Sequence, residues 1–277
     1  NDIEAISFIY NIPLWLINLW ISEFGRDKTE DLCAWFNEQP KLTARINTIL
    51  IDIPQCLTML NDQGWAVTQD SNYEDIIYIN SHRGSLEKSE AFIKGYITFM
   101  DKASMLVARL VNPQPGERIL DCCAAPGGKS MYMATLMNNV GSLMSCDIHE
   151  HKIELMNSNA DRLGASIVHT KVQDATKLPD SWNSYFDRVL VDAPCSGLGI
   201  LQKKLDMRWR KQESILRELP PLQLAILERA AMTVKEKGYL IYSTCTLNYK
   251  ENEEVVESFL QKHKEFSIIP VADDFPL

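Results

Sequence analysis

Two cysteines 50 residues apart, Cys195 in DAPCSG and Cys245 in STCT, each stand just past an apolar run that reads as a β-strand. A lone cysteine is usually a small buried hydrophobe, but its thiolate is also a strong nucleophile. If the two strands are neighbours, their ends lie about 5 Å apart and both thiols face one pocket. Another pair, Cys122-Cys123, lies in DCCAAPGGKS, Asp121 to Ser130. Its Gly-Lys-Ser ending suggests a nucleotide phosphate loop. That loop needs glycine at 123 so that backbone N–H groups can curl around a phosphate. Residue 123 is cysteine, which argues against ATP or GTP hydrolysis.

The same stretch suits another ligand. Pro126-Gly127-Gly128 lets backbone pass close to a bound molecule, and the helix that follows offers its first N–H groups to a carboxylate. Asp147 ends the second strand, where a carboxylate can accept both hydroxyls of a ribose. Asp174, in VQDATKLP, follows the third strand, where an adenine amino group can be read. An aspartate at a strand end is also a common helix cap. Taken together, sugar and base contacts without a phosphate loop describe an adenosine compound lacking phosphates, and S-adenosylmethionine fits. Lys203, Lys204, Arg208, Arg210 and Lys211 put five cations in nine positions just after the Cys195 loop. Charge runs are usually solvated surface; here the run suggests phosphate contacts.

These residues need elements to hold them. From residue 86 the chain alternates: strand ERILDCCA, helix KSMYMATLM, strand GSLMSCD, helix EHKIELMNSNADRLG, strands SIVHT and FDRVLVDAP, helix PLQLAILERAAMTV, strand GYLIYSTC, helix KENEEVVESFLQKH. Repeated βα units predict an α/β fold with a doubly wound, mostly parallel sheet, whose ligands bind beyond the carboxyl ends of the strands. Ahead of it, residues 1–85 read as a small helical plus α/β domain. Helices are expected over Pro13–Phe24, stopped by Gly25, and over Thr29–Asn37, capped by Thr29. Strands TARINTIL, WAVTQ and DIIYIN surround a short helix, PQCLTMLND. Arg45 and the exposed strands suggest an RNA-facing module; a structural appendage is the equal alternative.

The 277 residues are 45% hydrophobic, enough for a packed core, and the net charge is −9, which argues against non-specific coating of nucleic acid. Seven cysteines without a CxxC pair argue against a disulfide scaffold or a zinc ribbon, predict no metal site and suit the reducing cytoplasm. The uncharged stretch Ala5–Ile21 is short for a membrane span and interrupted by Asn11, Pro13 and Asn18, so a buried helix is expected. The first residue is Asn rather than Met, and the chain is expected to be a piece of a longer one.

Together DCCAAPGGKS, DAPCSGLGIL and YSTCTLNYKENE resemble the RNA (cytosine-5) methyltransferases of the Sun family. YNIPLWLINLWISEFG followed by TARINTI resembles the bacterial small-subunit ribosomal RNA type, RsmB, and the resemblance extends to about residue 271. It implies a class I, Rossmann-like methyltransferase domain over 86–277 that uses S-adenosylmethionine. By this resemblance Cys123, Ala124, Ala125, Pro126, Gly127, Gly128 and Lys129 form the cofactor loop, and Asp147, Asp174 and Asp192 are cofactor-side acids. Cys245 is the nucleophile, Cys195 the cysteine that helps release product, and the segment around Arg208 lies near RNA. The implied partner is 16S ribosomal RNA, with a monomeric protein and no membrane. Relative to the family pattern, Met100 and Lys102 replace Gln and Glu, and Leu205 and Tyr249 replace prolines. The RsmB type also carries a further N-terminal helical RNA-binding domain, and its sheet closes with a last strand. Both are expected to be missing here, with FSIIPVA, Phe266–Ala272, as a final strand left on the edge.

The implied chemistry makes physical sense of the cysteine pair. Cytosine C5 is too weak a nucleophile to take a methyl group until a thiolate adds at C6. Asp192 is suited to bond the base edge or to help protonate N3. The base must be unstacked to be reached, so single-stranded or loosened RNA is expected. Alternatives are a catalytically inactive RNA-binding ribosome-assembly factor, or a methyltransferase acting on another RNA such as tRNA, on DNA or on a small molecule.

Overall fold

The structure, a computed structural model, describes residues 2–271 and Phe275. In chain order the elements are α1 (Asp2–Tyr10), α2 (Leu14–Phe24), α3 (Arg26–Asn37), β1 (Thr43–Ile46), α4 (Ile53–Asp62), β2 (Ala66–Gln69), β3 (Ile76–Ser81), α5 (Glu90–Ile93), β4 (Ile97–Phe99) and α6 (Lys102–Val111). Then follow β5 (Arg118–Asp121), α7 (Gly128–Leu136), β6 (Ser142–Asp147), α8 (Glu150–Leu163), β7 (Val168–Val172), β8 (Phe186–Asp192), α9 (Met207–Arg210), α10 (Ile215–Ala231), β9 (Val234–Ser243) and α11 (Glu253–Lys262). By compactness the chain groups into two units. One holds the residues up to Pro40 with Ala193–Ala225 and Thr244–Ser267; the other holds Lys41–Asp192, Ile226–Ser243 and the described residues from Ile268.

The larger unit contains both sheets. Its five-stranded sheet is parallel throughout, in the order β7-β6-β5-β8-β9. Strand order reverses between β5 and β8, so the carboxyl ends there form the crevice where doubly wound sheets bind ligands. Ile119 and Leu120 of β5 and Val189, Leu190 and Val191 of β8 are fully buried. A parallel strand covered on both faces requires such an uninterrupted apolar run. Helix α7 is buried at every position from Ser130 to Thr135, which anchors the loop before it.

A second, antiparallel sheet has the order β2-β3-β1-β4. With α4 and α5 it follows the βαββαβ chain order of ferredoxin-like folds. Strand β4 is three residues long and pairs with β1, so this sheet extends past the expected boundary at 85/86. So short a strand, behind the polar stretch 81–89, carries no readable period. Strand β1 lies between β3 and β4 and is buried at all four positions, which places Arg45 inside rather than toward RNA. Its Nη1 donates to Thr135 Oγ1 at 3.2 Å and its guanidinium stacks over Tyr132. Burial lowers its pKa to about 10. Beside it, Asp75 accepts from Tyr132 and pairs with Arg109, tying β3 to α6 and α7.

In the smaller unit, Leu16, Ile17 and Trp20 of α2 pack with Cys33, Phe36, Leu198, Leu201 and Leu216. The apolar stretch near the N-terminus is thus a bent pair, α1 and α2, turning by 116°, and no single helix among the described residues is long and apolar enough to cross a membrane. Helix α3 starts three residues before the expected Thr29 cap. Thr29 is buried, and its hydroxyl donates back to Gly25 O at 2.7 Å. Helix α10 starts five residues before Pro220 and carries Pro220 and Pro221 in its second turn, where each forgoes a backbone bond. The expected strand over Phe266–Ala272 does not form: residues 266–271 pair with no strand, and Ala272 lies outside the described residues.

Candidate active site

Strand β5 delivers Asp121 into the loop Cys122–Gly127, which turns into α7 through a cis Ala125-Pro126 peptide and Gly127 at φ 97°. A Cβ on Gly127 would meet Met156 at 3.1 Å, so both backbone shape and space select glycine. Ala124 and Ala125 pack on Ile153 and Met156 of α8. Cys122 and Cys146 are buried and Cys123 is half-buried; desolvation raises the Cys123 thiol, which keeps it protonated and unreactive. Gly128 opens α7 and Lys129 follows it.

Asp121 is fully buried, and among the described residues its Oδ1 finds no hydrogen-bond partner. Ser145 Oγ donates to Ser130 Oγ, which donates to Asp121 Oδ2 at 2.7 Å. Burial outweighs that bond and pushes the Asp121 carboxyl up to about 7. An acid raised on folding contributes stability that is fully present below its unfolded value, about 4, and is lost as pH rises through about 7. Asp121→Asn is therefore expected to remove the fall in stability over that window. Urea midpoints measured across it check this, and an unchanged slope would assign the titration elsewhere.

The strand-end aspartates are placed as follows. Asp147 ends β6; Oδ1 accepts from His149 N at 3.0 Å and faces Lys152 Nζ at 3.5 Å. Its Oδ2 takes no bond among the described residues. Asp174 caps a single 3-10 turn, Ala175–Lys177, accepting from the N–H and the hydroxyl of Thr176, which lower its pKa. Asp192 ends β8; Oδ2 takes Lys129 Nζ at 2.7 Å and Oδ1 takes Ser243 Oγ at 2.7 Å. Ser243 is its register partner on β9. Lys129 thus neutralises a carboxylate instead of reaching for a phosphate. These groups fit an adenosine ligand: an acceptor at the end of β6, a glycine-shaped loop, and the N–H end of a nine-residue helix.

The smaller unit holds the two cysteines. Cys195 Sγ lies 3.2 Å from Cys245 Sγ, and Cys245 N donates to Cys195 Sγ at 3.3 Å. Cys195 is half-buried and Cys245 exposed. The hydrogen bond to Cys245, then burial, raise the Cys195 thiol well above its ordinary range. Either sulfur can donate the S–H that lies between them. Gly199 N donates to Cys245 O at 2.9 Å, and a Cβ on Gly199 would meet that oxygen at the same distance.

The basic run divides. Lys203, Lys204 and Arg210 are exposed and Lys211 is half-buried. Arg210 pairs with Asp206 at 3.2 Å. Arg208 is only 2% exposed: its guanidinium donates to Phe36 O at 2.6 Å, Asn37 Oδ1 at 2.8 Å and Tyr10 O. It staples α9 to the end of α3 and is withdrawn from RNA contact. On a one-turn helix, residues one apart point in different directions, so Arg208 turns in while Trp209 and Arg210 turn out. Sequence reasoning missed the buried polar residues Ser196, Gln223, Asn248 and Glu251. The only signal available was an acid in the acidic stretch Glu251–Glu254, which by itself reads as solvated surface.

The profile described as 16S rRNA methyltransferase RsmB/F matches residues 108–275, and one described as an RsmF/B-like ferredoxin-like domain matches residues 12–84. The chain is 40% identical over 255 residues to the probable ribosomal RNA small subunit methyltransferase B of Bacillus subtilis, covering 92% of this chain and 57% of that protein. It is 37% identical to the protein of the same name from Synechocystis sp., covering 97% and 61%. The chain thus spans about three fifths of the length of these curated relatives. A solved methyltransferase homologue from Pyrococcus horikoshii superposes with a TM-score of 0.83 at 25% identity, covering 94% of this chain and 82% of that one.

Proposed function

Because the chain belongs to the RsmB/F family of 16S rRNA methyltransferases, we propose that it transfers a methyl group from S-adenosylmethionine to C5 of a cytosine in RNA, the substrate being small-subunit (16S) ribosomal RNA. The observation that carries this reading is the thiol pair, Cys195 against Cys245 at 3.2 Å. A single packing cysteine needs no second thiol, and two structural cysteines would not leave one exposed.

S-adenosylmethionine, when bound, supplies an electrophilic methyl group. Asp147 holds its ribose, Asp174 its adenine, and the loop Cys123–Lys129 with the first N–H groups of α7 its carboxylate end. Asp192, held by Lys129 and Ser243, is assigned to the cofactor side and to the edge of the cytosine. Cys245 adds as thiolate to C6; an S–C6 bond forms and the C5=C6 electrons move to C5, which would take the methyl group as the donor's S–CH3 bond breaks and S-adenosylhomocysteine leaves. Release reverses the addition: the C5 proton passes to water, the C5=C6 bond returns and the S–C6 bond breaks to give back the Cys245 thiolate, with Cys195 assisting. A free thiol is only about 3% ionised at neutral pH. Cys195 offers help: with the sulfurs 3.2 Å apart, an S–H donated from Cys195 stabilises charge on the Cys245 sulfur.

Lys203, Lys204, Arg210 and Lys211 contact RNA phosphates. Residues 1–85 form the RNA-facing domain and residues 86–277 the methyltransferase domain, which lends β4 to the small sheet. The protein acts as a monomer in the cytoplasm. Tritiated-methyl transfer to 16S rRNA, followed by nucleoside analysis, tests the reading. Label in 5-methylcytosine is expected. Label entering only tRNA would redirect the substrate, and RNA binding without any transfer would favour an assembly factor.

A further inference from the structure

Glu251 lies in the short 3-10 turn Tyr249–Glu251 and is fully buried. A buried carboxylate is costly unless donors surround it. Here they come from both cysteine loops. Ser196 N donates to Oε2 at 2.8 Å, and Ser196 Oγ donates to Oε1. Asn248 Nδ2 donates to Oε1 at 3.0 Å and Gln223 Nε2 to Oε2 at 2.9 Å. Gln223 Nε2 also donates to Pro194 O at 3.0 Å. Ser196 Oγ gives its proton to Glu251 and so accepts the bond from Thr246 Oγ1, 2.7 Å away.

The arrangement is specific to the pair. Pro194 and Ser196 flank Cys195, and Thr246 follows Cys245. One acceptor therefore fixes the residues on both sides of one thiol and the residue next to the other. Each partner is a donor, which an ionised carboxylate satisfies and an amide in the same place does not. We infer that Glu251 is a positioning residue: through Ser196, Thr246 and Gln223 it holds the Cys195 and Cys245 loops in the register at which their sulfurs touch. For the reaction this inference rests on the reading of Cys245 as nucleophile and Cys195 as its release partner. A thiol pair displaced by about 1 Å loses much of that cooperation.

The test needs neither RNA nor cofactor. The full chain is treated with diamide, and disulfide formation between Cys195 and Cys245 is followed by mass spectrometry of the digested protein. Diamide takes up the two electrons and two protons that the thiols lose as the S–S bond forms. Glu251→Gln is expected to slow that bond about ten-fold, and Ser196→Ala and Thr246→Val to slow it several-fold, with cooperative melting retained. In the methylation assay Glu251→Gln should lower kcat without raising KM for S-adenosylmethionine. Unchanged disulfide rates in a folded Glu251→Gln protein overturn the inference. If that variant does not fold, unchanged rates in Ser196→Ala overturn it instead. Slowed disulfide formation alongside a wild type that methylates no RNA would leave Glu251 as the positioning residue and refute the proposed function.

Discussion

Cys245→Ala is expected to end methyl transfer, a loss on the order of 10⁴-fold or more, and to form no covalent complex with RNA. Cys195→Ala is expected to do something different. It should still attack and methylate but fail to release, so that protein accumulates bound to RNA through Cys245. Denaturing gels would show a slow band that protease removes. The two thiols touch and Cys245 is the more exposed of them, so its sulfur is the one an incoming base reaches. If both cysteines only packed, both variants would be modestly destabilised and neither would form an adduct. If the roles were exchanged, the trapped peptide found by mass spectrometry would contain Cys195.

Asp147→Ala should weaken S-adenosylmethionine binding by about 2–4 kcal/mol, the worth of about two charge-assisted hydrogen bonds to the ribose. In affinity that is a loss of roughly 30- to 1000-fold. The structure adds a control. Asp147 Oδ1 already accepts from His149 N in a turn just ahead of α8, so truncation also removes that bond, worth about 1 kcal/mol of stability. Asparagine can make the same turn as aspartate but carries no charge and presents one acceptor fewer. Asp147→Asn should therefore keep the melting temperature and still lose affinity in calorimetry. Tight binding by the asparagine variant would reduce Asp147 to a turn residue and remove the ribose assignment.

Much of the fold was readable because its determinants are local. The βα alternation from Arg118 onward follows from apolar runs of strand length separated by periodic helices, and the five-strand parallel sheet matches it. Aspartates at strand ends and Gly127 at a left-handed turn are visible because a few neighbouring residues set those conformations. Chain order alone also put Cys195 three residues after β8 and Cys245 two after β9. Other features depend on partners far away in sequence, and only the tertiary structure decided them. The adjacency of β8 and β9, with Asp192 beside Ser243, is a matter of sheet order, which no local pattern carries. Strand β4 is too short to show a period and exists because β1 offers it an edge. Arg45 and Arg208 read as surface cations, because a basic side chain is usually solvated. Each is buried by acceptors or a ring 87 to 198 residues distant: Thr135 and Tyr132 for Arg45, and Tyr10, Phe36 and Asn37 for Arg208. Glu251 is the clearest case. In sequence it is one acid in an acidic stretch, and its meaning comes from donors 28 and 55 residues upstream that fold around it. A side chain's chemistry is written in its type, but which groups desolvate it and which satisfy it is settled only when distant segments pack.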